Sequence, residues 1–175
     1  MTEDLSFPIG KFKRPAALNA AEFGTAVDAL TSQPDRLRMA VDGLSDAQLD
    51  TPYRSGGWTV RQLTHHVADS HMNMYMRLKL ALTEDNPTIK PYDQDEWVKL
   101  SDTREVPVAT SLELFDAVQQ RTLSVLRNTS MSDRERTFVH PENGPTRIDQ
   151  LAALYAWHGD HHIAHIRNLR TRMGW

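Results

Sequence analysis

The chain has 175 residues, 20 Lys and Arg against 23 Asp and Glu, a formal charge of −3 and no cysteine. That length suits a single domain with a sizeable core, and the slightly acidic balance argues against a general nucleic-acid or membrane-surface binder, which would be basic. Without cysteine there are no disulfides, thiolate nucleophiles or Cys-type zinc sites, so a transition metal must be held by His and carboxylate and any thiol must come from outside.

No apolar run approaches the roughly 18 residues that span a bilayer, and Met1-Thr-Glu-Asp4 is not a basic region followed by a hydrophobic one. A soluble cytoplasmic protein is expected. Residues 1–18, with Phe7-Pro-Ile-Gly10 and Lys13-Arg-Pro15, are predicted as an extended arm packed on the body, because Pro and Gly prevent a long helix. Residues 19–175 are predicted as one helical domain.

From Asn19 to Leu44, Phe23, Val27, Leu30, Leu37, Val41 and Leu44 follow helical spacing, with Pro34 expected to kink or split the helix. Ser45-Asp-Ala-Gln48 reads as a capping box on one short turn, and Thr51–Trp58 as a loop whose Tyr53, Arg54 and Trp58 can rim a pocket. A second capping box, Thr59-Val-Arg-Gln62, opens a long helix to about Thr83. At about 100° per residue, Leu63, Val67, Ser70, Met74, Leu78 and Ala81 form its apolar stripe. His66 lies at the stripe's border and faces inward. His65 points to the polar face with Asp69, and His71 toward the rim.

Residues 84–110 form a long crossing segment anchored by Tyr92 and Trp97, of the kind that spans a bundle. Thr110-Ser-Leu-Glu113 is predicted to cap a helix carrying Leu114, Phe115, Val118, Thr122, Val125 and Leu126. Residues 130–145 are expected to be polar loop, and Thr146-Arg-Ile-Asp149 to cap a final helix to about Met173. The prediction is all-α, a four-helix bundle with a long crossover between its second and third helices.

Four of the eight histidines fall between Trp157 and His165. Ile148, Leu151, Tyr155, His158, His162, His165 and Leu169 step by three and four, so histidines stand where a bundle would place Leu. Relative to Leu151, His158 and His162 lie at about −20° and +20°, centred on the stripe, and His161 and His165 at about −80° and −40°. Residues four apart project side by side and can share an ion. The third ligand comes from elsewhere, and the inward-facing His66 is the match. Three neutral histidines leave a tetrahedral Zn²⁺ one open position, the catalytic arrangement; Ni²⁺ also accepts imidazole.

The competing readings are structural. A lone buried histidine is usually a satisfied core residue, and Tyr155 and Trp157 read as core. His65, His71 and His140 read as surface or hydrogen-bonding residues. His161 and His165 could support the ligands or act as a base, and Asp69 could orient a ring or be a solvated helix acid. Asp160 points away from the centred pair.

The chain resembles the YfiT-type members of the DinB/YfiT-like superfamily. The resemblance runs through Phe7-Pro-Ile-Gly10, Asp50-Thr-Pro-Tyr-Arg54, Gly56-Gly-Trp-Thr-Val-Arg-Gln62, His65-His-Val-Ala-Asp-Ser-His-Met-Asn73, Lys90-Pro-Tyr92, Tyr155-Ala-Trp-His158, His161-His-Ile-Ala-His165 and Arg172-Met-Gly-Trp175. It implies a four-helix bundle, often a homodimer, with one metal on three histidines that fall on His66, His158 and His162. It also implies two activities. The first expectation is a thiol S-transferase, in which a low-molecular-weight thiol such as bacillithiol is ionised on the metal and attacks an electrophilic small molecule, with Arg61, Arg77 or Arg147 available for the thiol's carboxylates. The alternative is a hydrolase using metal-bound hydroxide. A non-catalytic, stress-related bundle with a structural metal is the third reading.

Overall fold

A computed structural model describes residues 5–175; the first four residues of the predicted arm lie outside the described residues. Four long helices form the body: α1 (Ala20–Val41), α3 (Val60–Thr83), α6 (Val108–Arg127) and α8 (Ile148–Met173). Between them lie α2 (Asp46–Leu49), α4 (Gln94–Trp97), α5 (Ser101–Glu105), α7 (Met131–Glu135) and an antiparallel hairpin of β1 (Thr137–His140) and β2 (Gly144–Arg147). Helix α1 packs on α8 and α6, and α3 packs on α6 and α8, which closes the bundle. The long crossover joins α3 to α6, as expected of the second and third long helices.

Local chemistry sets most helix starts. Asn19, Ser45 and Thr59 accept the N3 backbone N–H while Glu22, Gln48 and Gln62 return a bond to the cap backbone. Two predicted caps differ. Helix α6 begins at Val108 after Pro107, not at the Thr110 box, since proline is pre-set for a helix start and keeps Val106 extended. At α8 the box shifts by one residue: Gln150 Oε1 accepts the Arg147 N–H. Thr146 instead takes Arg14, and Asp149 takes Arg147 and the Leu18 N–H.

Pro34 does not split α1. It has no N–H for the Leu30 carbonyl, and Gln119 Nε2 fills that place at 2.8 Å. The buried face of α6 is centred on Leu112, Phe115, Gln119, Thr122, Leu123 and Leu126, and Leu114 lies outside it. The predicted face was displaced because Gln119 reads as a surface residue until its two partners are known.

The predicted polar loop at 130–145 also needs correction, since it holds α7 and most of the hairpin. These strands are four residues long and contain Pro145, so no alternation marks them. They are held from outside: Ile89 N–H bonds Val139 O, Val139 N–H bonds Pro87 O, and Arg136 caps the last turn of α3 through Ala81 O and Glu84 O. The arm lies along α8 and the hairpin, with Arg14 on Asn143 O and Thr146 and Gln150 Nε2 on Pro15 O and Ala16 O. No helix of the described residues is long and apolar enough to cross a membrane.

The core is split into two apolar clusters. One gathers Phe23, Leu30, Met74, Leu78, Leu126, Phe138, Ile148 and Leu151; the other Leu37, Leu63, Val67, Phe115, Ile163, Ile166 and Leu169. Each long helix carries buried polar residues between its contributions to the two: Gln33 on α1, Ser70 and His71 on α3 with His66 one turn earlier, Gln119 on α6, and His162 on α8. A polar belt thus crosses the middle of the bundle. Burying such groups is costly unless they are bonded to each other or to a ligand.

Candidate metal centre

Three histidine nitrogens converge in this belt. His66 Nε2 lies 3.2 Å from His158 Nε2, which lies 3.1 Å from His162 Nε2, and no two of the three are more than 4.8 Å apart. His66 and His162 are buried, and His158 is partly exposed toward a cleft. Burial pushes the His66 pKa down to about 4. Burial, reinforced by the neighbouring histidines, holds His158 and His162 well below the ordinary imidazole range. All three are neutral at pH 7, the form that ligates metal.

The donor set fits a divalent ion. Two nitrogens about 2.0–2.1 Å from one tetrahedral ion stand about 3.3 Å apart, close to the two short separations here. Without an ion, His158 Nε2 has either one proton or one lone pair for two ring neighbours, a poor arrangement for three buried imidazoles. Trp58 covers the triad, its ring 4.7 Å from His66 and 6.4 Å from His162, and is held by a bond from Nε1 to Asp95 Oδ1. The predicted rim residue Trp58 is therefore a wall of the site.

The other histidines separate by partner. His71 is fully buried and donates Nδ1–H to Gln119 Oε1 at 3.1 Å, which ties α3 through α6 to the Leu30 carbonyl of α1. His65 is buried too, not on a polar face; its Nδ1 pairs with Ser111 Oγ because α6 packs over that side of α3. His140 takes the Glu142 N–H in the hairpin turn. His161 and His165 pair with each other, Nε2 to Nε2, at 3.0 Å. They do not support the ligands: Nδ1 of His158 and of His162 is buried with no hydrogen-bond partner among the described residues.

His161 stacks on Trp157 and His165 lies 4.1 Å from Tyr53. Trp157 is not core but anchors the arm, donating Nε1–H to Gly10 O and meeting Phe12. Asp69 hydrogen-bonds no histidine and is half-buried, its pKa raised to about 6 by burial and then by Asp102. Asp160 turns to α1 and pairs with Arg36 at 2.7 Å.

A cleft of about 520 Å³ opens beside His158, lined among others by Ser70, Arg77, Tyr92, His140 and Tyr155. Sequence reasoning placed Ser70 on a stripe, Tyr92 on a crossover, His140 in a loop and Tyr155 on a core face, and gave Arg77 no position. They meet only because the crossover and hairpin fold over the same side of α3 and α8.

The buried neutral histidines have a consequence for acid stability. Burial pushes the His71 pKa down to about 3, against about 6.5 unfolded. Between these values the unfolded chain binds a proton that the folded chain does not, so stability falls as pH drops from about 6.5 toward 3. Each such histidine steepens the loss by about 1.4 kcal/mol per pH unit. Urea unfolding of metal-free protein from pH 7 to 4 is expected to show this, with a shallower slope in His71→Gln. An unchanged slope in that variant would contradict the assignment.

The fold and site define a four-helix bundle with three histidines of its second and fourth long helices gathered at one point. The chain belongs to the DinB superfamily, whose family model matches residues 29–166. It is 48% identical over 172 residues to a protein of Bacillus cereus (strain B4264) and 47% identical over 172 residues to one of Bacillus thuringiensis subsp. konkukian (strain 97-27), covering 98% of this chain and 99% of each relative. Both relatives are provisionally named metal-dependent hydrolases. The structure superposes on YfiT from Bacillus subtilis, described as a probable metal-dependent hydrolase with an unusual four-helix bundle topology, with a TM-score of 0.95 and 43% identity over 98% of both chains. TT2238, a four-helix bundle protein, shares the fold alone, with a TM-score of 0.56 and 19% identity over 87% of this chain and 99% of that one.

Proposed function

We propose that this chain is a metal-dependent enzyme that transfers a low-molecular-weight thiol of the bacillithiol type to an electrophilic small molecule, with a divalent ion, zinc before nickel, on His66, His158 and His162. The convergence of three neutral Nε2 atoms beside a cleft carries the metal part of this reading. When bound, such an ion supplies a Lewis acid that ionises a thiol at neutral pH. The residues around it exclude water and position the reactants: Trp58 covers two of the rings, and Tyr155 packs 5.6 Å from His158.

The surroundings favour thiol transfer over hydrolysis for one reason. An ion that ionises a thiol also lowers the pKa of bound water to about 7, so hydrolysis needs no separate base, but it does call for an acid to protonate the leaving group of an ester or amide. The groups packed on the triad are aromatic rings, His71, which burial keeps neutral down to about pH 3, and His161, which burial also holds below the ordinary imidazole range and whose Nε2 is paired with His165. A thiolate that displaces a halide needs no such acid, because the leaving group departs as an anion. Hydrolysis stays as the second reading because it is the activity in the relatives' names.

Zinc-loaded protein given bacillithiol and monochlorobimane is expected to form the conjugate, and to stop when the metal is removed. Turnover of an ester without thiol would replace transfer by hydrolysis. No turnover in either assay would leave the non-catalytic bundle as the reading.

A further inference from the structure

We infer that Arg77 is an anion-recognising residue of the cleft beside the metal centre, so that a molecule reacting there carries a carboxylate or another oxyanion. The inference rests on the reading of the three-histidine cluster as a reaction centre, but on neither hydrolysis nor transfer in particular.

Arg77 differs from the other two arginines that sequence singled out. Arg61 is engaged by Asp50 at 2.7 Å and Asp46 at 2.8 Å, and Arg147 by Asp149 at 2.9 Å. Arg77 makes no ion pair among the described residues. Its Nη1 donates to the Tyr155 hydroxyl at 3.3 Å, and its Nε is buried with no hydrogen-bond partner. Arg77 is half-buried, a buried donor left unspent is costly, and a planar guanidinium matches an oxyanion in charge and shape.

Its neighbours in the cleft leave that charge without an ion-pair partner. Arg77 shares the cleft with Ser70, Tyr92, His140, Tyr155 and the candidate ligand His158. Both tyrosines stay phenols: burial pushes the Tyr92 pKa up to about 12 and raises that of Tyr155. His140 is held neutral, first by burial and then by Arg77 itself. The three carboxylates on the cleft wall keep their charge, but none forms an ion pair with Arg77. Asp93 caps α4 through the Glu96 N–H, Asp95 takes the Trp58 indole, and Glu142 is exposed. Asp69, which influences Tyr92, does not line the cleft.

Tyr155 links the two functions, its ring against His158 and its hydroxyl on Arg77. A reactant at the metal centre that extends into the cleft would place an anionic substituent against Arg77.

The test uses cobalt-loaded protein, whose absorption reports a thiol at the metal, titrated with mercaptosuccinate and with neutral 2-mercaptoethanol. Mercaptosuccinate is expected to bind at least about tenfold more tightly, the scale of a charge-assisted pair. Arg77→Gln should erase that preference while 2-mercaptoethanol binds as before, and Arg77→Lys should keep part of it. A preference that persists in Arg77→Gln, or is absent from the wild type, overturns the inference. If neither thiol alters the cobalt spectrum, thiol transfer fails instead. Succinate then decides the arginine separately: it should shift cleft amide resonances of the metal-free wild type but not of Arg77→Gln, and no shift in the wild type overturns the inference.

Discussion

Replacing His158 with alanine is expected to empty the metal centre and abolish metal-dependent turnover. His158 is the middle histidine of the three, its Nε2 within 3.2 Å of both His66 Nε2 and His162 Nε2. Losing a group that only orients a ligand costs about 10–100-fold in metal affinity, so losing the central ligand should cost at least about 100-fold. Zinc per chain, measured after dialysis against a competing chelator, reads the effect directly. His161→Ala is the matched control on the same helix, because its Nε2 meets His165 rather than the triad. Its zinc content should stay near wild type. Undiminished zinc in His158→Ala, or equal loss in both variants, would sink the ligand assignment.

Gly159→Ala is expected to destabilise the fold by about 2 kcal/mol, although glycine inside a helix usually gains from this change. Alanine is favoured in a helix interior by about 1 kcal/mol. Against this, a Cβ at Gly159 would sit 2.4 Å from the side-chain amide carbon and Oε1 of Gln33 and 2.6 Å from Nε2. Gln33 is fully buried, and its Nε2 holds the Tyr155 and Ala156 carbonyls, so it cannot move aside without breaking those bonds. Overpacking at about 1–3 kcal/mol plus a strained buried hydrogen bond at about 1 kcal/mol outweighs the propensity gain. For a chain of this size the melting temperature should fall by about 4–8 °C. In a Gln33→Ala background the obstruction is gone, and the same substitution should be neutral or stabilising. A Gly159→Ala protein that melts at or above wild type would show that Gln33 yields more easily than its bonds suggest.

The two predictions concern adjacent residues on α8 that were legible to different degrees. The convergence of His158, His162 and His66 was readable because helical spacing fixes which side chains share a face, and the stripes of α3 and α8 put all three on core faces. Gly159 could be placed off the ligand face but not explained, since its reason is a glutamine 126 positions earlier in the chain. His161 and His165 were given supporting roles that the structure does not bear out. Side-chain pairing on one helix was foreseeable, but whether a pair supports its neighbours depends on ring orientation, which spacing does not encode. The hairpin was missed because its strands are short, proline-containing and held by residues 87–89 and by Arg136 on α3.

What the sequence by itself determined is local and periodic: four amphipathic helices, two of the capping boxes, the long crossover and the inward direction of three histidines. These follow from the 3.6-residue repeat and from cap chemistry within a few residues. The tertiary structure alone decided the belt between the two apolar clusters, the cap that Gln119 places on the carbonyl freed by Pro34, and the cleft that leaves Arg77 without an acidic partner. The physical reason is the same in each case. A buried polar group is defined by whatever satisfies it, and here those partners come from other helices or from the folded crossover.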